Sequence, residues 1–297
     1  MSTSLKFENL RFIKTRYVFL WLLLFYFAFT SLYGLLQQFV TFLPGFEDPI
    51  VNQILYSCSF ISLCFYLIQE LRQSEINVEH IFGNLRPSYR WLPLLGWAIM
   101  FLLFSVGAAL ISFRGLSLVA PEFHESFMKS IAEQESRESA VPIINQCWQT
   151  VNYVAVAPIT EEIIFLGTNL HRLAMKWNLP VAIWISSIIF GLLHPNPIGI
   201  SAVGVAWALL YIKTRTLVVP IIAHCMNNAI VVLVEFGSAW LQHSNPNEIT
   251  NNMTGDEWIA GLLLVALSLP FIVVFIYRRF PAKDASLPYF ANHSKAI

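Results

Sequence analysis

Charged residues are scarce in this chain of 297 residues: Asp, Glu, Lys and Arg together make up 12%, about half of their usual share in soluble domains. Acidic and basic residues are equal in number, and the chain has neither a basic tract nor a glycine-rich phosphate loop. Nothing therefore indicates a nucleic-acid partner. A hydrophobic share of 56% and a mean hydropathy of +0.60 predict an integral membrane protein whose surroundings are the lipid bilayer.

Cysteines are also few. Cys58, Cys64, Cys147 and Cys225 form no C-x-x-C pair and stand in or beside apolar runs, which argues against a disulfide framework or a thiolate zinc site. We expect buried thiols that act as small hydrophobes.

Eight apolar runs approach the roughly 20 residues that a helix needs to cross a bilayer. They predict an all-α, polytopic membrane bundle of about eight transmembrane helices. The predicted spans cover 17–41, 50–69, 91–113, 149–170, 180–195, 199–212, 216–236 and 258–277. The fifth and sixth are short enough to form a hairpin that does not reach the far face, and a total of seven is the alternative. The first run exceeds the apolar part of a signal peptide and lacks an A-x-A cleavage site, so we expect a retained helix.

The distribution of Lys and Arg predicts the orientation of these spans. With the N-terminus in the cytoplasm, all but three of the 18 basic residues fall on the cytoplasmic side. The exceptions are Arg114, Lys129 and Arg137. We therefore expect a multi-pass protein with both termini in the cytoplasm.

The spans divide the chain into four segments. They are the three N-terminal spans (1–113), an extracytoplasmic loop (114–148), a core of spans four to seven (149–236), and an outer loop with the last span and the cytoplasmic tail (237–297). In the first loop, Phe123, Phe127 and Ile131 recur at helical spacing. This spacing predicts either a helix on the membrane surface or a packed loop helix.

Five polar side chains interrupt the predicted spans. Glu161 and Glu162 stand in the fourth span, within A-P-I-T-E-E-I-I-F-L-G, and His194 ends the fifth. His224 and Asn228 are four residues apart in the seventh and share a helical face. Counted from the cytoplasmic ends, all five fall roughly 12–21 Å deep. Ionisable side chains at such depth indicate function by default.

This set of side chains suits hydrolysis of an amide bond. A carboxylate beside a second acid, in surroundings of low dielectric constant, holds a proton more readily and can act as a general base toward water. An imidazole can orient that water, and a His and an Asn on one face can donate to a developing oxyanion. The set also fits a divalent metal such as Zn²⁺, with Glu161, His194 and His224 as ligands and water as the fourth.

Several other protease signatures are missing. No H-E-x-x-H motif is present, because H-E-S-F-M at His124 lacks the second His. The G-D of T-G-D-E lies in a predicted loop, and no glycine-flanked nucleophilic Ser occurs. These absences argue against a zincin, a membrane-embedded aspartyl site and a serine protease.

The segments E-E-I-I-F-L-G, F-G-L-L-H and H-C-M-N-N, about thirty residues apart, resemble the three signatures of the CPBP family. These are the CAAX prenyl endopeptidases and bacteriocin-processing enzymes, also called Abi proteins, with the pattern E-E-x-x-x-R, F-x-x-x-H and H-x-x-x-N. The resemblance covers roughly residues 140–236. It implies an eight-helix intramembrane endopeptidase that acts on a peptide or membrane protein, such as a prenylated CAAX tail or a leader peptide.

The resemblance also implies a role for each site residue. Glu161 would activate water together with His194, His224 and Asn228 would stabilise the oxyanion, and Glu162 would support the water-activating pair. It leaves open whether the glutamate acts without a metal cofactor or the enzyme is a metalloprotease.

One position departs from the family pattern. Leu166 stands where the family has an Arg, which would pair with a glutamate, and Arg172 and Arg215 are the candidates to replace it. The alternatives to an enzyme are a polar network between helices, a proton-coupled carrier, and a non-catalytic immunity or scaffold protein. The remaining histidines, His80, His124, His171 and His243, are expected at the surface.

Overall fold

The computed structural model describes residues 14–139, 143–244, 256–282 and 285–294, and this part of the chain is helical without any strand. The helices are α1 (Thr15–Phe39), α2 (Pro49–Gln73), α3 (Val78–Phe82), α4 (Trp91–Val119), α5 (Pro121–Ser139), α6 (143–176), α7 (Leu179–Leu192), α8 (Pro197–Thr214), α9 (Val218–Ser244), α10 (Glu257–Arg279) and α11 (Pro288–His293). The predicted all-α, polytopic membrane bundle is confirmed.

Each of the eight predicted spans coincides with a helix. Among the described residues, six helices are long and apolar enough to cross a bilayer, namely α1, α2, α4, α8, α9 and α10. The other two spans are α6, discussed below, and α7, whose 14 residues extend only about 21 Å. The predicted hairpin therefore corresponds to α7 and α8, but only α7 is too short to cross, since the 18 residues of α8 are enough for a span.

The predicted extracytoplasmic loop is largely helical. Helix α4 continues to Val119, six residues beyond the predicted end of the third span, and α5 follows directly. The rings of Phe123 and Phe127 stack with centroids 6.1 Å apart, and Phe127 also contacts Phe113 of α4 at 6.0 Å. Whether α5 lies on the membrane surface stays a prediction, as does the division of the chain into four segments.

Capping residues explain where two of the spans begin. The side chain of Asp48 accepts a hydrogen bond from the N–H of Ile50 at 2.9 Å, directly before α2. Asn196 accepts from the N–H of Gly199 at 3.2 Å, directly before α8. Asn196 also donates to the carbonyl oxygen of Ser105 at 2.7 Å, which attaches the turn between α7 and α8 to α4.

Helix α8 lies at the centre of the bundle. Its residues from Val203 to Tyr211 are all buried, and a helix that is buried on every side must be surrounded by others. Trp207 and Tyr211 are among the largest fully buried side chains, and Phe101 of α4 and Phe275 of α10 pack around them. Helix α8 thus belongs to the core of the bundle rather than to its rim.

Helix α3, the turn between α8 and α9, and helix α11 meet at one end of the bundle. The side-chain amide of Asn292 donates to the carbonyl oxygens of His80 at 2.9 Å and Arg215 at 2.8 Å. The N–H of Leu217 donates to the carbonyl oxygen of Phe82 at 2.9 Å. The distribution of basic residues places these three segments on one side of the membrane; that this side is the cytoplasm stays a prediction.

Helices α4 and α10 approach closely at two glycines. A Cβ atom on Gly107 would lie 2.8 Å from the carbonyl oxygen of Gly261, and one on Gly261 would lie 2.9 Å from the carbonyl oxygen of Gly107. Real Cβ atoms do not approach backbone so closely. Small residues of this kind allow transmembrane helices to touch.

We expect Gly107→Ala to lower the free energy of unfolding by about 1–3 kcal/mol, because the added methyl group pushes α4 away from α10. Thermal unfolding in detergent measures the change. Gly115→Ala is the matched control, since it lies on the same helix with open space around its Cβ position. Equal unfolding midpoints for the two variants would contradict the close contact.

Candidate active site

Helix α6 positions the two glutamates by alternating between two helical geometries. It is α-helical over Ile143–Val151, Ala157–Glu162 and His171–Lys176, and π-helical over Asn152–Val156 and Ile163–Leu170. Pro158, which has no N–H to donate, is the second residue after the first π-helical stretch. The glutamate pair ends the central α-helical stretch, so a widened turn lies on either side of it. Such π-helical turns are frequent at functional sites.

The imidazole of His224 contacts both carboxylates. Its Nδ1 atom donates to Oε1 of Glu162 at 2.9 Å, and its Nε2 atom lies 3.9 Å from Oε2 of Glu161. Glu161 is 8% exposed, Glu162 3% and His224 6%. Three ionisable groups from α6 and α9 are therefore shielded together from bulk water, although each is costly to bury alone.

Neither carboxylate is paired with a strong base. In the described part of the chain, no Lys or Arg forms an ion pair with Glu161 or Glu162, and His224 is their shared ionisable partner. Arg215, one candidate to replace the family Arg, ends α8 where α11 docks. The arrangement therefore relies on one imidazole whose charge depends on its protonation.

His194 lies next to this cluster without bonding to it. Its Nδ1 atom donates to the carbonyl oxygen of Phe190 at 2.7 Å, so Nε2 remains the accepting atom of the neutral ring. The ring of Phe190 lies 4.7 Å from the ring of His194 and 5.9 Å from that of His224, centroid to centroid. Phe190 therefore contacts both histidine rings, and the half-buried His194 is more accessible than the buried His224.

Asn228 lies one turn from His224 and is 7% exposed. Its amide nitrogen donates to the carbonyl oxygen of Tyr153 at 2.9 Å, which uses one of its two N–H groups. The neighbouring Asn227 is equally buried, and its Oδ1 atom has no hydrogen-bond partner among the described residues. Asn228 is thus fixed against the first π-helical stretch, beside the cluster.

Leu166 faces the interior rather than a charged partner. It is 3% exposed and lines a cavity of about 10 Å³, close to the smallest space that holds one water molecule. Glu162, Ser187 and Trp207 line the same cavity, and the indole nitrogen of Trp207 is buried without a hydrogen-bond partner in the described part of the chain. The position of the family Arg therefore lies beside Glu162.

The proposed metal ligands were tested against these contacts. Glu161 and His224 are close together, but His194 is turned toward Phe190, and among the described residues no three His, Cys, Asp or Glu side chains come together as a possible metal site. In this arrangement, Glu161, His194 and His224 thus do not fit a bound Zn²⁺.

The sequence motifs did not include two residues that have buried contacts in the structure, Tyr56 and His171. The hydroxyl of Tyr56 on α2 donates to Oε1 of Glu161 at 3.1 Å, and α2 lies outside every motif. His171 was expected at the surface, which is wrong: it is 0% exposed. Its Nδ1 atom donates to the carbonyl oxygen of Leu166 at 3.0 Å, and its Nε2 atom lies 3.5 Å from the hydroxyl of Tyr211. The π-helical geometry brings its side chain back to a carbonyl group five residues earlier.

The other predictions on single residues have mixed outcomes. His80 and His124 are half-buried, and the side chain of His243 lies outside the described residues. Cys64 is buried as predicted, whereas Cys58 and Cys225 are half-buried and Cys147 is exposed. The expectation that all four thiols are buried is therefore wrong for three of them.

Comparison with known proteins gives two matches. The family model described as type II CAAX prenyl endopeptidase Rce1-like matches residues 143–230. A protein of Bacillus subtilis (strain 168) named "Putative membrane peptidase YdiL" is 41% identical over 83 residues, which are 27% of this chain and 34% of the relative. The alignment thus spans about a third of that relative. No solved structure matches the chain.

The matched segment runs from the start of α6 into α9 and contains both glutamates, His194, His224 and Asn228. Both matches support the resemblance to the CPBP family that the three sequence motifs predicted, and the family model places it over residues 143–230.

Proposed function

We propose that this protein is an intramembrane endopeptidase that hydrolyses a peptide bond with water activated by Glu161. The observation that carries the proposal is the contact of one imidazole, His224, with two carboxylates inside a membrane bundle. A buried acid–base cluster of this kind supplies the general base that amide hydrolysis needs. The substrate is a peptide or membrane protein, and a prenylated CAAX tail or a leader peptide fits the family.

The gap between Glu161 and His224 suits a water molecule. The 3.9 Å between Oε2 and Nε2 is too long for a direct hydrogen bond, and one water can lie about 2.8 Å from both atoms. Glu161 would accept the proton of this water as its oxygen attacks the carbonyl carbon. The same proton then passes from Glu161 to the leaving amine as the C–N bond breaks.

The remaining residues support this reaction from either side. Glu162 fixes the orientation of the His224 ring through the 2.9 Å hydrogen bond to Nδ1. The second N–H of Asn228, together with the Nε2–H of a protonated His224 ring, would donate to the oxyanion that forms at the attacked carbonyl. His194, with its Nε2 lone pair free, would orient the water or relay a proton near the more open edge of the site.

We expect Glu161→Gln, His194→Ala and His224→Ala each to lower kcat by about 10²–10⁴-fold, because each removes a group that handles the proton or the developing charge. The protein should still insert and purify. The measurement is twofold: proteomics on membranes with wild type or Glu161→Gln identifies the polypeptide that stays uncleaved, and a purified assay then follows its cleavage.

The matched control is His124→Ala, a half-buried histidine on α5, which should leave turnover unchanged. Wild-type turnover in all three site variants would overturn the enzyme proposal. Uptake that depends on pH, in place of cleavage, would support the proton-coupled carrier. Binding of a partner that Glu161→Gln leaves unchanged, without any cleaved product, would support a scaffold or immunity protein.

We expect Leu166→Arg to retain turnover within about tenfold and to lose about 1–3 kcal/mol of stability. The longer side chain overfills the cavity, and its guanidinium group can reach Glu162, which lines that cavity. Leu166→Met is the control of similar volume. The measurements are thermal unfolding and turnover of both variants. If the Arg variant fails to fold while the Met variant folds normally, the cavity does not accommodate a charged side chain.

A further inference from the structure

Tyr56 brings a third helix into contact with the catalytic glutamate. It lies on α2, outside the matched segment 143–230, and its hydroxyl donates to Oε1 of Glu161 at 3.1 Å. In the described part of the chain, this is the one hydrogen bond that the Glu161 carboxylate accepts. The ring of Tyr56 packs against that of Phe60, with centroids 4.2 Å apart, so the ring itself is held in place.

Two further contacts, both C-terminal to Tyr56 on α2, attach this helix to α6. The hydroxyl of Ser57 donates to Oδ1 of Asn152 at 2.8 Å, at the first π-helical stretch. The thiol of Cys64 lies 3.5 Å from the carbonyl oxygen of Thr160, within its hydrogen-bonding range. The position of the Tyr56 hydroxyl is therefore set by the packing of two helices rather than by one flexible side chain.

The hydrogen bond from Tyr56 gives the two carboxylate oxygens of Glu161 different neighbours. Oε1 is held by Tyr56, while Oε2 is turned toward Nε2 of His224, 3.9 Å away. A carboxylate without the Tyr56 bond could rotate about its last torsion, which is broad and roughly two-fold. The oxygen that meets the water would then no longer be fixed.

We propose that Tyr56 is a positioning residue of this active site: its hydroxyl holds the Glu161 carboxylate so that Oε2 faces His224 and the attacking water. This inference rests on the proposed endopeptidase function. It also makes α2 a part of the catalytic unit, although the family signatures lie on α6, on α7 and the turn that follows it, and on α9. A protein reduced to the matched segment would lack this support.

The test measures kinetics and stability of Tyr56→Phe, which keeps the ring and its contact with Phe60 and removes only the hydroxyl. The probe is a synthetic peptide that spans the site cleaved in wild-type but not in Glu161→Gln membranes. We expect kcat to fall about 10–100-fold while KM stays within about twofold, since the lost bond orients a base and binds no substrate. Tyr66→Phe, ten residues along the same helix, is the matched control and should behave as wild type.

A thermal-unfolding cycle of Tyr56→Phe, Glu161→Ala and the double variant tests the contact without activity. The losses of stability in the two single variants should add up to more than the loss in the double variant. Either single variant already breaks the hydrogen bond, because one removes the donor and the other the acceptor. Three outcomes would overturn the positioning role but not the proposed endopeptidase function. They are additive losses of stability in the cycle, an unchanged kcat in Tyr56→Phe, and an equal fall in kcat in Tyr66→Phe. Wild-type turnover in Glu161→Gln would instead overturn the endopeptidase, and the positioning role with it.

Discussion

The contact of His224 with two glutamates is the constraint on which the rest of the bundle depends. A carboxylate taken out of water must be paired and hydrogen-bonded, and removing one partner of such a buried pair typically costs about 3–5 kcal/mol. Here two carboxylates share one imidazole, and neither meets a Lys or Arg in the described part of the chain. The surrounding helices must therefore hold the hydrogen-bond donors of these two carboxylates in place.

Several features of the fold serve this requirement. The π-helical stretches of α6 carry the glutamates between them, and Asn228 of α9 is bound to one of these stretches through the carbonyl group of Tyr153. Helix α8, buried along most of its length, places Trp207 against the ring of His224, with centroids 6.4 Å apart. The apolar packing excludes water, which strengthens each electrostatic contact within the cluster.

The site also combines a closed and a more open side. Glu162 lies deepest, behind His224 and beside the small cavity that Leu166 lines. His194 and Tyr56 are half-buried, and Tyr56 contacts the carboxylate of Glu161. A hydrolytic site in a membrane needs such an arrangement, since the base must be kept from bulk solvent while a peptide and one water reach it.

The sequence by itself determined the helices and their polar positions, because hydropathy and helical period are local properties that each segment carries alone. It predicted that Glu161, Glu162, His194, His224 and Asn228 lie at similar depth. Only the tertiary structure decided which groups meet: the rotation and crossing of helices put His224, rather than His194, against the carboxylates. The same packing buried His171 and brought Tyr56 from a distant span. Such contacts depend on how helices far apart in the chain face each other, and no local pattern records that.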